Sequence, residues 1–184
     1  METKVIEKMG KYDTDFETIK WAIGARSTDK IRHNIQRVLF DGGLVVATDG
    51  SRLHVAAPER HIDDGLYEVL KETKNMIVLR RDDYHTFPQY ERAFPENTHN
   101  GIGPLNVPGD KKNQANFVLN HVLKSSDHTF DVEYLLCACP CGERLHFEQG
   151  QGTSPLVVRN EDYTKAALVM PLKMKGVGPC ALKS

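Results

Sequence analysis

Apolar residues recur along this chain in two rhythms, and the switches between them mark out its elements. Phe16, Ile19, Ala22 and Ile23 repeat at helical spacing, which predicts a helix from Thr14 to about Ala25. Thr14-Asp-Phe-Glu17 has the form of a capping box, with the Thr14 hydroxyl and the Glu17 carboxylate answering free amides of the first turn. Ahead of it, Val5 to Met9 carries a weak strand pattern. Beyond the helix the period falls to two. Ile35 to Phe40 and Leu44 to Thr48 read as short strands around an Asp41-Gly-Gly43 turn. Asp49-Gly50 is a hairpin signal, because Gly accepts positive φ and Asp bonds its own backbone. Leu53, Val55 and Ala57 then alternate with polar neighbours on the returning strand, a polar loop runs from Arg60 to Gly65, and Tyr67 to Leu70 and Met76 to Leu79 are further strands.

From Arg80 to Gly109 the pattern has no period, and four of the nine prolines (Pro88, Pro95, Pro104 and Pro108) fall there. The segment reads as a long connection. Ala115, Val118, Leu119, Val122 and Leu123 then form a helical stripe that Asp110 is placed to cap. Phe130 to Ala138, Arg144 to Glu148, Pro155 to Arg159 and Ala166 to Leu172 read as strands, and the tail from Lys173 reads as frayed. The expected organisation is an N-terminal segment over 1–13, one domain over 14–174 with its connection at about 80–110, and a flexible tail over 175–184. Two helices packed on small antiparallel sheets of about eight strands make an α+β domain. There is no βαβ alternation and no Gly-rich phosphate loop, which argues against a nucleotide-binding α/β fold.

The net charge of −1 is uninformative about nucleic acid in either direction: a wrapping binder is usually strongly basic, but a ring that encloses DNA need only place its basic residues on the inner wall. The N-terminus is polar and no run approaches a membrane span, so the expected setting is the cytosol, with no membrane partner. Three of the four cysteines lie in Cys137-Ala-Cys-Pro-Cys141, which is no spaced disulfide framework. With His128 or His146 they suggest a zinc site. On an extended strand, however, alternate side chains stand roughly 7 Å apart, and one zinc at about 2.3 Å reaches all three only if the chain turns sharply at Pro140. None of the eight histidines sits in a ligand or triad pattern, so no cofactor and no enzymatic activity are expected.

Three separated segments carry a resemblance: Ala47-Thr-Asp-Gly-Ser-Arg-Leu53, Phe87-Pro-Gln-Tyr-Glu-Arg92 and Leu168-Val-Met-Pro-Leu-Lys173. In this order they resemble the pieces that frame the peptide-docking pocket of the bacterial replicative sliding clamp, the polymerase III beta subunit. The likeness covers residues 14–174. The first part resembles the start of the family's middle domain, the Phe87 segment its linker, and the part from Asn116 the end of its last domain. The chain resembles a shortened, single-domain relative.

The resemblance implies a peptide-binding pocket from Ile35, Thr48, Gly50, Arg52 and Leu53, with Pro88 and Arg92 from the linker and Val169, Met170, Pro171 and Leu172 as the C-terminal wall. Ile35, Leu53, Val169, Met170 and Leu172 suit an apolar cleft for hydrophobic peptide side chains, with Met as an adaptable liner. Arg52 and Arg92 suit peptide carbonyls or an acidic residue. Ser51 stands where the family usually has His, Lys173 where it has Arg, and Ala93 where it has a larger aliphatic residue.

The implied partners are DNA polymerase or repair proteins carrying clamp-binding motifs, and double-stranded DNA held without sequence specificity. Lys20, Arg26, Lys111, Lys112 and Lys124 are the candidate DNA-facing cations. The protein is expected to self-associate. Two alternatives stay open: a non-ring adaptor or decoy using the same pocket as a monomer or dimer, and a small zinc protein built on Cys137, Cys139 and Cys141.

Overall fold

A computed structural model describes residues 2–96, 98–123, 128–150 and 153–172. Ten strands form one antiparallel sheet: β1 Thr3–Glu7, β2 Arg37–Asp41, β3 Leu44–Thr48, β4 Arg52–Ala56, β5 Gly65–Glu72, β6 Met76–Arg81, β7 Thr98–Asn106, β8 Arg144–Gly150, β9 Leu156–Asn160 and β10 Lys165–Val169. Their order across the sheet is β1-β6-β5-β2-β3-β4-β10-β9-β8-β7. The helices are α1 Thr14–Ile23, α2 Lys111–Phe117, which runs on as a π-helical turn Val118–Leu123, and α3 Val132–Ala138. No described helix is long and apolar enough to cross a membrane.

The α+β class is as expected, and several details are not. The expected small sheets are one continuous sheet, because β4 pairs with β10 from Arg52↔Val169 to Ala56↔Lys165. The expected strand over 130–138 is a third helix. Asp131 caps it, accepting from the amides of Glu133 at 2.8 Å and Tyr134 at 3.4 Å, and Leu135 and Ala138 point inward one turn apart. The aperiodic 80–110 stretch contains a 3₁₀ turn, Tyr90–Ala93, and the nine-residue strand β7. Two register breaks against β8 erase the period that alternation would have left.

Helix α1 starts where expected but is capped differently. Asp13 accepts from the Phe16 amide at 2.9 Å, and Glu17 pairs with Lys8 instead of closing a capping box. Asp110 caps α2 as expected, accepting from the Asn113 amide at 3.0 Å. Residues 35 and 36 belong to a 3₁₀ turn, His33–Gln36, that precedes β2.

Burial follows from strand alternation. One face of the sheet carries the helices over two apolar clusters, around α1 (Phe16, Ile19, Ile23) and around α2 and α3 (Phe117, Val118, Leu135), with Trp21 packed against both. Val46, Leu53, Val55, Val157 and Leu168 make a smaller cluster on the opposite face. The segment between β6 and β7 crosses that cluster on Phe87, Tyr90 and Phe94. Arg159 lies 5.4 Å from the Phe94 ring centre. At the start of this segment Asp82 accepts from Arg37 Nε at 2.6 Å and from the Tyr84 amide at 2.9 Å.

The β4–β10 pair sits on a pseudo-twofold axis relating the two halves of the sheet. The Met170 amide donates to Ser51 O at 2.8 Å, and the Ala57 amide donates to Thr164 O at the same distance. Each bond closes the end of a hairpin whose central residue is left-handed, Gly50 at φ +92° and Tyr163 at φ +60°. Asp49 and Asp162 occupy the matching place in each turn and accept from the amides of Ser51 and Thr164, at 2.9 and 3.1 Å.

Candidate functional site

Four hydrogen bonds involving the side chains of Thr48 and Asp49 fix the β3–β4 turn. Asp49 Oδ1 accepts from the amides of Ser51 and Arg52, and the Thr48 hydroxyl accepts from the Gly50 amide at 3.0 Å while donating to Arg52 O at 2.6 Å. A side chain at Gly50 would place its Cβ 3.2 Å from Arg32 Nη1 in a left-handed conformation, so glycine is needed there. With the end of β10 bonded to Ser51, the turn and β10 enclose a shallow cleft of about 60 Å³. Thr48, Gly50, Ser51 and Arg52 line one side, Leu53 and Leu168 the floor, and Met170 and Ala93 the remaining rim.

The structure therefore brings Thr48, Gly50, Arg52, Leu53 and Met170 together around one cleft. The Ile35 Cδ1 atom lies 3.9 Å from the point where a Gly50 Cβ would stand. Met170 and Leu172 are 40% and 50% exposed, the kind of open apolar surface that a docking site needs. Pro88 and Arg92 are exposed on the crossing segment, where Arg92 is next to the cleft-lining Ala93, and Pro171 is half-buried.

Two expected residues turn the other way. Val169 is fully buried in the α2–α3 cluster, on the helix face, and the neighbour that faces the cleft is Leu168. Period-two alternation from Met170 carries that information, since Leu168 and Met170 share a face and Val169 cannot. Arg52 contributes to the lining, but its guanidinium crosses to the helix face. There Nε donates to Asp49 Oδ2 and Nη2 to Gly24 O, both at 3.0 Å, and the group lies 4.7 Å from the Tyr134 ring centre. It is committed to protein contacts and not aimed at a peptide.

A larger hollow of about 640 Å³ lies at the other end of the β4–β10 pair, between the first turn of α1 and the β9–β10 turn. Its wall is polar, with Lys165 paired to Glu143 and Arg144 to Glu161. It offers no apolar anchor.

Of the candidate DNA-facing cations, Lys20 donates to Thr73 O at 3.0 Å, and Arg26 donates to Ile23 O and pairs with Glu72 at 2.8 Å. Both are held by the protein itself. Lys111 and Lys112 are exposed at the start of α2, and Lys124 lies outside the described residues. Cys137 and Cys141 are exposed and Cys139 is buried, with its thiol pushed up by that burial and then by Cys137. Among the described residues no three His, Cys, Asp or Glu side chains gather as a metal site.

Beneath the junction, His54 is 1% exposed and stacks on Trp21 with ring centres 4.2 Å apart. Its Nδ1 donates to Trp21 O at 3.1 Å, and its buried Nε2 has no hydrogen-bond partner. Burial lowers its pKa to about 4, with the charge of Arg52 adding to the effect and the Trp21 carbonyl opposing it. The ring is neutral near pH 7.

No protein-family model and no curated protein matches the chain. Among solved structures, the DNA polymerase sliding clamp of Bacillus subtilis is similar with a TM-score of 0.61 at 13% identity, over 94% of this chain and 64% of that one. The DNA polymerase III beta subunit of Thermotoga maritima gives 0.60 at 13% identity, over 94% and 65%. The beta subunit of Borrelia burgdorferi, solved in complex with a natural product, gives 0.62 at 14% identity, over 97% and 65%. This chain spans a little under two thirds of the length of those clamps, and it shares their fold.

Proposed function

We propose that this protein is a clamp-like adaptor that docks linear peptide motifs of replication or repair proteins in the cleft between the Asp49–Arg52 turn, the crossing segment and the end of β10. The observation that carries the reading is the cleft itself. Leu53, Leu168 and the partly exposed Met170 converge beside a rigid glycine turn, at the junction where a second segment of chain crosses the sheet. At about 60 Å³ the cleft is far below the roughly 300–1,000 Å³ of small-molecule sites. That size suits the tip of one peptide side chain with its neighbours lying on the rim. No catalytic group is required by this reading.

A fluorescent peptide of the Gln-x-x-Leu-Phe type tests it. Saturable binding is expected, and Met170→Ala should weaken it about tenfold, the loss of roughly 1.4 kcal/mol of apolar contact. Failure of the folded wild-type protein to bind would remove the reading.

Tethering to double-stranded DNA is the fuller form of the same proposal. It requires a closed ring of about six copies joined through their strand edges. A second reading, an adaptor that never encloses DNA, is favoured by two observations. Lys20 and Arg26 are already committed within the chain. Of the two sheet edges left unpaired among the described residues, β7 carries Pro104, which has no N–H to offer, and two register breaks, devices that blunt an edge against pairing. The expected result of light scattering at micromolar concentration is a monomer or dimer. A discrete species of about six copies would reverse that preference.

A further inference from the structure

The cleft is built on one face of the sheet, but its turn is pinned from the other. Asp49 organises the turn through the Ser51 and Arg52 amides, and Ser51 O receives the Met170 amide. Asp49 is itself held by Arg52 and neighboured by Tyr134 on the helix face. Arg52 Nε donates to its Oδ2, and the Tyr134 phenol has its pKa pushed up by burial first and then by the Asp49 charge. The Tyr134 ring also lies under the Arg52 guanidinium, at 4.7 Å, a cation–π contact that fixes its direction. One residue of α3 therefore packs on Arg52 and neighbours Asp49, and so bears on the peptide wall carrying Gly50, Ser51 and the Met170 contact.

We propose that Tyr134 is a positioning residue for the cleft: from the opposite face of the sheet it sets the place of the Asp49–Arg52 turn, and so the affinity for an apolar peptide anchor. The inference rests on the reading of the cleft as a peptide site. The physical reason is preorganisation. A wall that must be ordered on binding subtracts that ordering from the affinity, and a cleft this small loses its fit when one wall drifts by about an ångström. The fold supplies its own control at the other end of the pseudo-twofold axis, where Lys165 lies 5.8 Å from the Trp21 ring centre beside the Asp162 turn. Tyr134 has no part in that turn's hydrogen bonds.

The experiment compares Tyr134→Ala and Tyr134→Phe in the full chain. It measures hydrogen exchange over segments 48–53 and 161–166 together with binding of the labelled Gln-x-x-Leu-Phe peptide. In Tyr134→Ala, exchange over 48–53 should quicken about tenfold with 161–166 unchanged, and the peptide should bind about tenfold more weakly. Tyr134→Phe keeps the ring under Arg52 and should fall between, and it decides the matter if the alanine variant does not fold. Unchanged exchange over 48–53, or equal quickening of both segments, overturns the proposal. A wild-type protein that binds no peptide while 48–53 still responds to Tyr134 removes the peptide reading and leaves the pinning of the turn established.

Discussion

Lowering the pH from 7 to 4 should remove on the order of 3 kcal/mol of folding stability through His54 alone. The folded pKa of about 4 lies below the ordinary 6.5. Between those values the unfolded chain takes up a proton that the folded chain refuses. Stability therefore falls as the pH drops, by about 1.4 kcal/mol per pH unit, and the loss is complete near pH 4. The cause is geometric. Nδ1 already donates to the Trp21 carbonyl, Nε2 is buried with no acceptor to receive a proton, and the ring is 1% exposed. Of the charges that bear on the ring, Arg52 opposes protonation and Asp49 favours it.

Urea unfolding at several pH values checks this, with His54→Phe as the companion because it keeps a ring against Trp21. The variant should lose the slope between pH 6.5 and 4, and an unchanged slope would assign it elsewhere. Asp82 acts in a separate window. Burial pushes its carboxyl up, but the Tyr84 amide, Arg37 and His85 outweigh that and hold it at about 2 against the ordinary 3.8. Its stabilisation is present above the ordinary value and is lost only as the pH falls from 3.8 through 2.

Gly103→Ala should cost about 4 kcal/mol, more than an ordinary surface change by nearly an order of magnitude. Gly103 has φ +127°, a region that side chains rarely enter, and its new Cβ would meet Leu145 O at 2.8 Å and His146 Cα at 3.1 Å. Both are backbone atoms of β8, the only strand among the described residues that β7 pairs with. Neither can move without breaking the β7–β8 ladder. Gly109→Ala is the control, since nothing lies within 4 Å of its Cβ position. Its cost should stay within about 0.5 kcal/mol. Comparable midpoints for the two variants in urea would mean that β7 yields to the methyl group.

The candidate site was legible where its chemistry is local. Asp49-Gly50 announces a hairpin because a short carboxylate and a residue tolerant of positive φ are what such a turn needs, and the structure uses both. Met170 and Leu53 were legible as apolar positions near that turn. The direction of Arg52 was not. Its charge pointed to a ligand, whereas the fold spends the guanidinium on Asp49, Gly24 and the face of Tyr134, residues brought together from three separate segments. Val169 and Leu168 differ by a single step of alternation, and the pairing of β10 with β4 and β9 puts Leu168 beside Leu53 and Val169 beside Arg52.

By itself the sequence determined those elements whose signals lie within a few residues: α1 from its helical stripe, α2 from its stripe and the Asp110 cap, β3 and the turn that follows it, and the α+β class. The tertiary structure alone decided that 132–138 is helical, that 98–106 is a strand, and that two half-sheets fuse through β4 and β10. The physical reason is one of range. Intrinsic preferences between helix and strand amount to less than about 1 kcal/mol per residue. Burying Leu135 and Ala138 under α3, or pairing β7 with β8, draws on contacts with distant residues that outweigh such preferences and leave no trace in a local window.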